Sequence, residues 1–195
     1  PKLPLRQANI QHANIPPDQG AAPEVVYLIY SLGMARDRRS LKIWQRVVDL
    51  IDPQPKDLAD FKDSRLALFC YIDAVCFGSE RLGDPAAIPI LAKLHEHCYL
   101  HDRAEPHWRI EVDILPERQA MLELGIGKAL ARCGSPLGFE VLIAYLDDNR
   151  ALLVEQAHTN LARIAGRDLG YDAAAWSAWL DKVKAALRPA PLVED

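Results

Sequence analysis

The chain has 195 residues, half of them hydrophobic and about a quarter charged, a composition that suits a packed globular domain and excludes a disordered chain. Its formal net charge of −4 supplies no overall attraction to nucleic acid or to an anionic membrane surface. No apolar run approaches the roughly 18 residues of a spanning helix, and no signal peptide is visible.

Residues 1–21 are polar and proline-rich, with Pro1, Pro4, Pro16 and Pro17, and read as an extended arm. A chain that opens on Pro1 in place of Met is expected to be processed or cut from a longer protein, and a signal could have been lost that way. A first helix is predicted from Pro23 to near Gly33, carrying Val26, Tyr27, Ile29 and Tyr30. A second spans residues 40–51, with Ile43, Trp44, Val47, Val48 and Ile51 on one side. Asp52-Pro53-Gln54-Pro55 then breaks the chain. The third, residues 60–77, is apolar almost all round, through Leu66, Phe69, Ile72 and Val75, and should lie between neighbours.

Helix four is predicted over 85–100, helix five over 117–133, and helices six, seven and eight over 136–146, 150–165 and 172–187. Leu66, Leu91, Ile126 and Leu142 are expected in the core. Gly125 and Gly127 lower the helix propensity of helix five, which suggests close backbone packing there. Pro189 and Pro191 end the series and leave 188–195 as a tail. Cys70, Cys76, Cys98 and Cys133 sit within apolar patterns and read as buried thiols outside any disulfide. That favours a reducing, cytoplasmic compartment, with export possible if a signal was removed.

One phrase recurs. Leu-Gly-Asp-Pro-Ala-Ala-Ile-Pro at 82–89 places a helix stop at Gly83, a cap at Asp84 and a proline where the next helix accepts it, before the apolar face of Ile88, Leu91 and Leu94. Looser copies begin at Asp37, Ser135 and Asp172, roughly 40 to 50 residues apart. The phrase resembles the short bacterial form of HEAT-like repeats, most specifically at 82–94 and 130–146. The run from Ile164 to Asp172 with Trp176 and Trp179 is similar to the terminal unit of such arrays. The resemblance implies an all-α, right-handed α-solenoid of about four antiparallel helix pairs over residues 22–187. It also implies a non-catalytic protein-interaction or scaffolding role, in many cases as a module appended to a larger enzyme or secreted protein.

Residues 101–116 interrupt the helical period. Trp108, Ile110, Val112 and Ile114 alternate with Arg109, Glu111 and Asp113, the period of an extended segment with one apolar face. Two readings compete: a loop lying over the ends of helices four and five, or a docking strip centred on Trp108 and Ile110.

Two polar clusters have chemical potential. In His95-Glu96-His97-Cys98, with His101 and Asp102 beyond, His97 and His101 stand four apart on the predicted helix, a spacing that can hold a transition metal. His95 is expected to point elsewhere, and histidines are also favoured at a helix C-terminus for electrostatic reasons. The HEAT-like deoxyhypusine hydroxylases hold two irons through repeated His-Glu pairs, but His95-Glu96 is the single such pair here. Arg36, Arg38 and Arg39, with Lys42 and Arg46, form a basic patch of the kind that HEAT-like alkylpurine DNA glycosylases use on DNA. Asp49, Asp52, Asp57, Asp60 and Asp63 follow at once, so the patch reads first as a solvated, locally paired face, with an acidic partner for Arg36, Arg38 and Arg39 as the second reading. No phosphate-binding glycine loop and no nucleophile with its base can be assembled. The expectation is therefore a scaffold with no cofactor, binding a protein partner or the rest of its own longer chain. A HEAT-like enzyme, either a glycosylase or a metal-dependent one, is the alternative.

Overall fold

A computed structural model describes Leu3 and residues 22–51, 63–105 and 114–193, with side chains from residue 67 in the third helix and from residue 116 in the fifth. Among these residues there are eight α-helices and no strand: α1 Glu24–Met34, α2 Ser40–Leu50, α3 Asp63–Leu82, α4 Ile88–His95, α5 Ile114–Arg132, α6 Pro136–Ala144, α7 Ala151–Ala165 and α8 Ala173–Val183. The protein is all-α, and no described helix is long and apolar enough to cross a membrane. The N-terminal arm lies outside the described residues except for Leu3, which is half-buried against the core.

The capping phrases behave unequally. Asp84 accepts from the Ala86 amide at 2.8 Å, and Asp172 accepts from the Ala175 amide at 3.0 Å, each satisfying a backbone donor at a helix entry. Asp37 accepts from the Arg39 amide one step before α2. Ser135 makes no side-chain capping bond and is buried.

Several helix boundaries differ from expectation. The third helix runs on to Leu82, past its expected end at residue 77, and the eighth stops at Val183, short of residue 187. The fourth helix ends at His95, because the chain turns to drive Tyr99 and Leu100 into the core. The fifth begins at Ile114, so the last residue of the predicted extended strip is helical. Pro116 falls in the first turn, where its missing N–H is no loss. The cysteines form no disulfide, and Cys98 stands exposed on the turn after α4 where a buried thiol was expected.

Five pairs of helices two places apart pack together, α1 on α3, α3 on α5, α5 on α7, α2 on α4 and α6 on α8, while α4 and α6 are joined mainly through α5. Two buried clusters result. The first joins Val26, Trp44, Ile72 and Leu91 to Ile126, Ala129 and Leu130 of α5. The second joins Ala120, Leu124 and Ala131 of α5 to Phe139, Leu142, Leu161 and Trp176. One helix thus serves as a wall to both. At its crossing with α6 the backbones nearly touch: a Cβ on Gly138 would lie 2.1 Å from the Ala131 nitrogen and 2.5 Å from the Gly127 oxygen. A second close approach joins α1 and α3, where a Cβ on Gly33 would meet the Gly78 Cα at 2.8 Å.

The far end is closed by α8. Trp176 is fully buried and donates from its indole nitrogen to the Gly170 carbonyl at 2.8 Å. Trp179 meets Trp176 edge-on and also the Phe139 ring. The tail then runs back across the ends of α5 and α3. The Ala190 amide donates to the Arg132 carbonyl at 2.8 Å and the Leu192 amide to the Glu80 carbonyl at 2.8 Å. Arg36 donates to the Leu192 carbonyl, also at 2.8 Å. Helix C-termini leave carbonyls without partners, and the tail supplies donors to two of them.

The two glycines of α5 should respond oppositely to alanine. A Cβ on Gly125 meets nothing within 4 Å, so Gly125→Ala is expected to stabilise by about 0.5–1 kcal/mol through helix propensity. A Cβ on Gly127 would lie 2.6 Å from Val141 Cγ1, so Gly127→Ala should cost about 1–3 kcal/mol. Urea unfolding of the two variants checks this, and shifts of the same sign would contradict the assigned helix face.

Candidate functional site

A charged side chain lies between the two cores. Glu123 sits on α5 between core residues Ala120 and Ile126 and is 4 % exposed. Burying a carboxylate is unfavourable unless fixed donors replace its water. Here Oε1 accepts from the Asp102 amide at 2.8 Å, and Oε2 accepts from the Arg103 amide and the Tyr145 hydroxyl, each at 2.7 Å. Two successive amides of the loop after α4 therefore grip the carboxylate, and to present them Asp102 takes a left-handed backbone conformation (φ 53°).

The same loop is tied on its other side. Asp148, in the turn between α6 and α7, accepts from the Glu105 amide at 2.8 Å and pairs with Arg150. Arg150 in turn donates to the Arg103 carbonyl at 2.7 Å, and the Asn149 amide donates to the Glu105 carbonyl at 2.9 Å. The loop from His101 to Glu105 is thus anchored to α5 and to the α6–α7 turn.

Against this scaffold stand two histidines. His95, the last residue of α4, is buried, and its Nε2 lies 3.2 Å from Glu123 Oε1. His101 is half-exposed and meets the His95 ring edge-on with centroids 4.8 Å apart. The ligand-capable atoms of His95, His101 and Glu123 lie within 4.8 Å of one another. They border a cavity of about 200 Å³, to which Tyr145, Glu140 and Asp102 also contribute.

Burial would raise the Glu123 pKa, but the hydrogen bonds from His95, Tyr145 and the Arg103 amide outweigh it and hold the carboxyl below its ordinary value. The Tyr145 hydroxyl is pushed well above its usual range by burial and by the neighbouring Glu123 charge. Asp148 is also lowered: burial opposes ionisation, but the Arg150 guanidinium and two backbone amides prevail. A protonated carboxyl is thus disfavoured at both anchors.

The expected metal pair is rearranged. Because α4 ends at His95, His97 and His101 do not share a helical face. His97 is buried with Nδ1 3.3 Å from the Tyr99 hydroxyl, and His101 faces His95, the histidine expected to point away. Glu123 and Tyr145 were not singled out from the sequence. The legible signal was a carboxylate three residues from both Ala120 and Ile126, on the buried face of the helix.

The basic patch is engaged within the chain. Arg36 binds the tail, Arg38 pairs with Asp84 at 2.7 Å, and Arg39 pairs with Asp37 at 2.5 Å. All three remain exposed. Trp108 and Ile110 lie outside the described residues. In comparisons with protein-family models, curated proteins and solved structures, the chain gave no significant match.

The lowered Glu123 pKa fixes a sign for acid stability. Its contribution is complete above the ordinary value of 4.5 and is lost as pH falls through the depressed folded value. Glu80 opposes it, since burial raises that carboxyl despite Lys128 and Arg132. The test is therefore the difference between wild type and Glu123→Gln. The variant should lose on the order of 2 kcal/mol at neutral pH, where buried donors lose a charged acceptor. The gap should narrow below about pH 4 in melting experiments. A gap independent of pH would contradict the assignment.

Proposed function

We propose that this chain is a right-handed α-solenoid of about four HEAT-like helix pairs, acting as a non-catalytic protein-interaction or scaffolding module. The observation that carries the reading is the packing order, in which α1, α3, α5 and α7 follow one another while α2 packs on α4 and α6 on α8. Stacked helix pairs bury their apolar faces against neighbouring pairs, and each pair alone cannot. The four capping phrases, spaced at roughly one repeat, support the same reading. Trp176 and Trp179 then act as the closing unit that such an array needs.

The partner is a protein, or the remainder of a longer chain to which this module belongs. The strip of Trp108 and Ile110 supplies its apolar contact, and Arg36, Arg38 and Arg39 favour an acidic surface. Their present pairings with Asp37, Asp84 and the tail are exposed ion pairs and hydrogen bonds. Such contacts contribute little to stability and can be exchanged for a partner's carboxylates.

Affinity isolation, followed by reconstitution with the purified partner, tests the reading. A Trp108→Ala/Ile110→Ser variant should keep the wild-type melting temperature and lose the reconstituted complex. Full retention of the complex would remove the docking strip from the account. In fluorescence anisotropy, labelled duplex DNA should remain unbound at physiological salt. Tight binding that collapses with added salt would move the protein to the DNA-acting enzymes.

A further inference from the structure

The geometry points to a binding site for one divalent transition-metal ion of the zinc class, held by His95, His101 and Glu123. This inference is independent of the scaffold reading. Two imidazoles and one carboxylate form a ligand set that zinc and its first-row neighbours accept, whereas magnesium and calcium prefer oxygen-only shells.

The bond pattern at Glu123 supports it. A carboxylate has about four lone-pair positions. Three are taken by fixed donors, the Asp102 and Arg103 amides and the Tyr145 hydroxyl, all at 2.7–2.8 Å. The fourth, on Oε1, faces His95 Nε2 across 3.2 Å. That separation is long for a charge-assisted hydrogen bond. It matches the roughly 3.3 Å between neighbouring ligands on a tetrahedral ion with bonds of about 2.0–2.1 Å.

The buried pair is hydrogen-bonded at a separation that a shared ion would also satisfy, and the three donors do what outer partners do at metal sites, fixing the ligand's orientation. His101 completes the set. The three ligand atoms spread to at most 4.8 Å; His101 is half-exposed, and its Nε2 lies 3.1 Å from the exposed Asp102 Oδ2, a contact it would exchange for the ion.

Local charge agrees. Glu140 and Asp102 add carboxylates at the cavity. The guanidiniums on the same loop cluster are committed elsewhere, Arg103 to the His101 and Cys98 carbonyls and Arg150 to Asp148. Three protein ligands leave a further coordination position open to the cavity, which accommodates water or a small ligand. A bound ion would also pin His101, and with it the start of the loop after α4, to α4 and α5.

The test is a titration of the intact chain, first freed of metal with a chelator, with zinc by calorimetry and with cobalt by visible absorption. Wild type should take up one equivalent of zinc and develop the absorption of low-symmetry cobalt with nitrogen and oxygen ligands. His101→Ala removes a half-exposed ligand, so its melting temperature should be retained while zinc affinity falls by at least about 10–100-fold. His158→Ala, at a histidine paired with Asp168 elsewhere, should bind as wild type does. Glu123→Gln gives a second reading, loss of binding by a variant checked for fold by circular dichroism. The proposal is overturned by wild-type binding no tighter than millimolar, by unchanged affinity in His101→Ala, or by equal loss in His158→Ala.

Discussion

The near-contact between the backbones of α5 and α6 at Gly138 is the constraint on which the rest of the structure depends. With no side chain at that position, α6 sits directly on the Gly127 carbonyl and the Ala131 amide. That depth lets Phe139 and Leu142 reach the second core, while the other side of α5 remains available to the first. A single helix can then support two cores, and helices on either side of it need no direct contact to be held in register. The Gly33–Gly78 approach of α1 and α3 repeats the device nearer the N-terminus.

Placing one helix between two cores raises an electrostatic problem, because Glu123 projects into the seam. The solution is local and has a conformational cost. Asp102 adopts a left-handed backbone, which disfavours a non-glycine residue by about 1–2 kcal/mol, although Asp tolerates it better than most. Two charge-assisted amide bonds and the Tyr145 hydroxyl offset this. The loop is thereby drawn onto α5, and His101 is delivered beside His95. The cavity beside the two histidines follows from how the fold accommodates a buried charge, and this joins the packing to the chemistry.

The helices were legible from one-sided apolar spacing in α2 and α7 and from nearly continuous apolar runs in α3 and α6, and Asp84 and Asp172 announced their helix starts by a mechanism the structure retains. The end of α4 was not legible. Tyr99 and Leu100 continue the helical spacing of apolar residues, and only the tertiary demand to bury them outside the helix breaks it. Gly125 and Gly127 looked equivalent in sequence, yet only Gly127 meets a neighbour; Gly138, the most demanding position, gave no signal because its partner lies on another helix. The histidine cluster was visible, but its grouping was not. Once α4 stopped at His95 the i,i+4 relation between His97 and His101 lost its meaning, and the third member came from α5, some twenty residues on. The docking of the tail was silent for a different reason: it is made largely through backbone groups, which every sequence carries.

The most direct test of the shared-wall account is native-state hydrogen exchange on Gly138→Ala. Alanine is the better helix former by about 1 kcal/mol, so propensity alone would stabilise the variant. A steric origin for the α5–α6 contact predicts the opposite: global stability lower by about 3 kcal/mol or more, with lost amide protection in α1 and α3 as well as in α6 and α8. Wild-type stability, or a loss of protection confined to α6, would contradict the claim that this one crossing holds both cores.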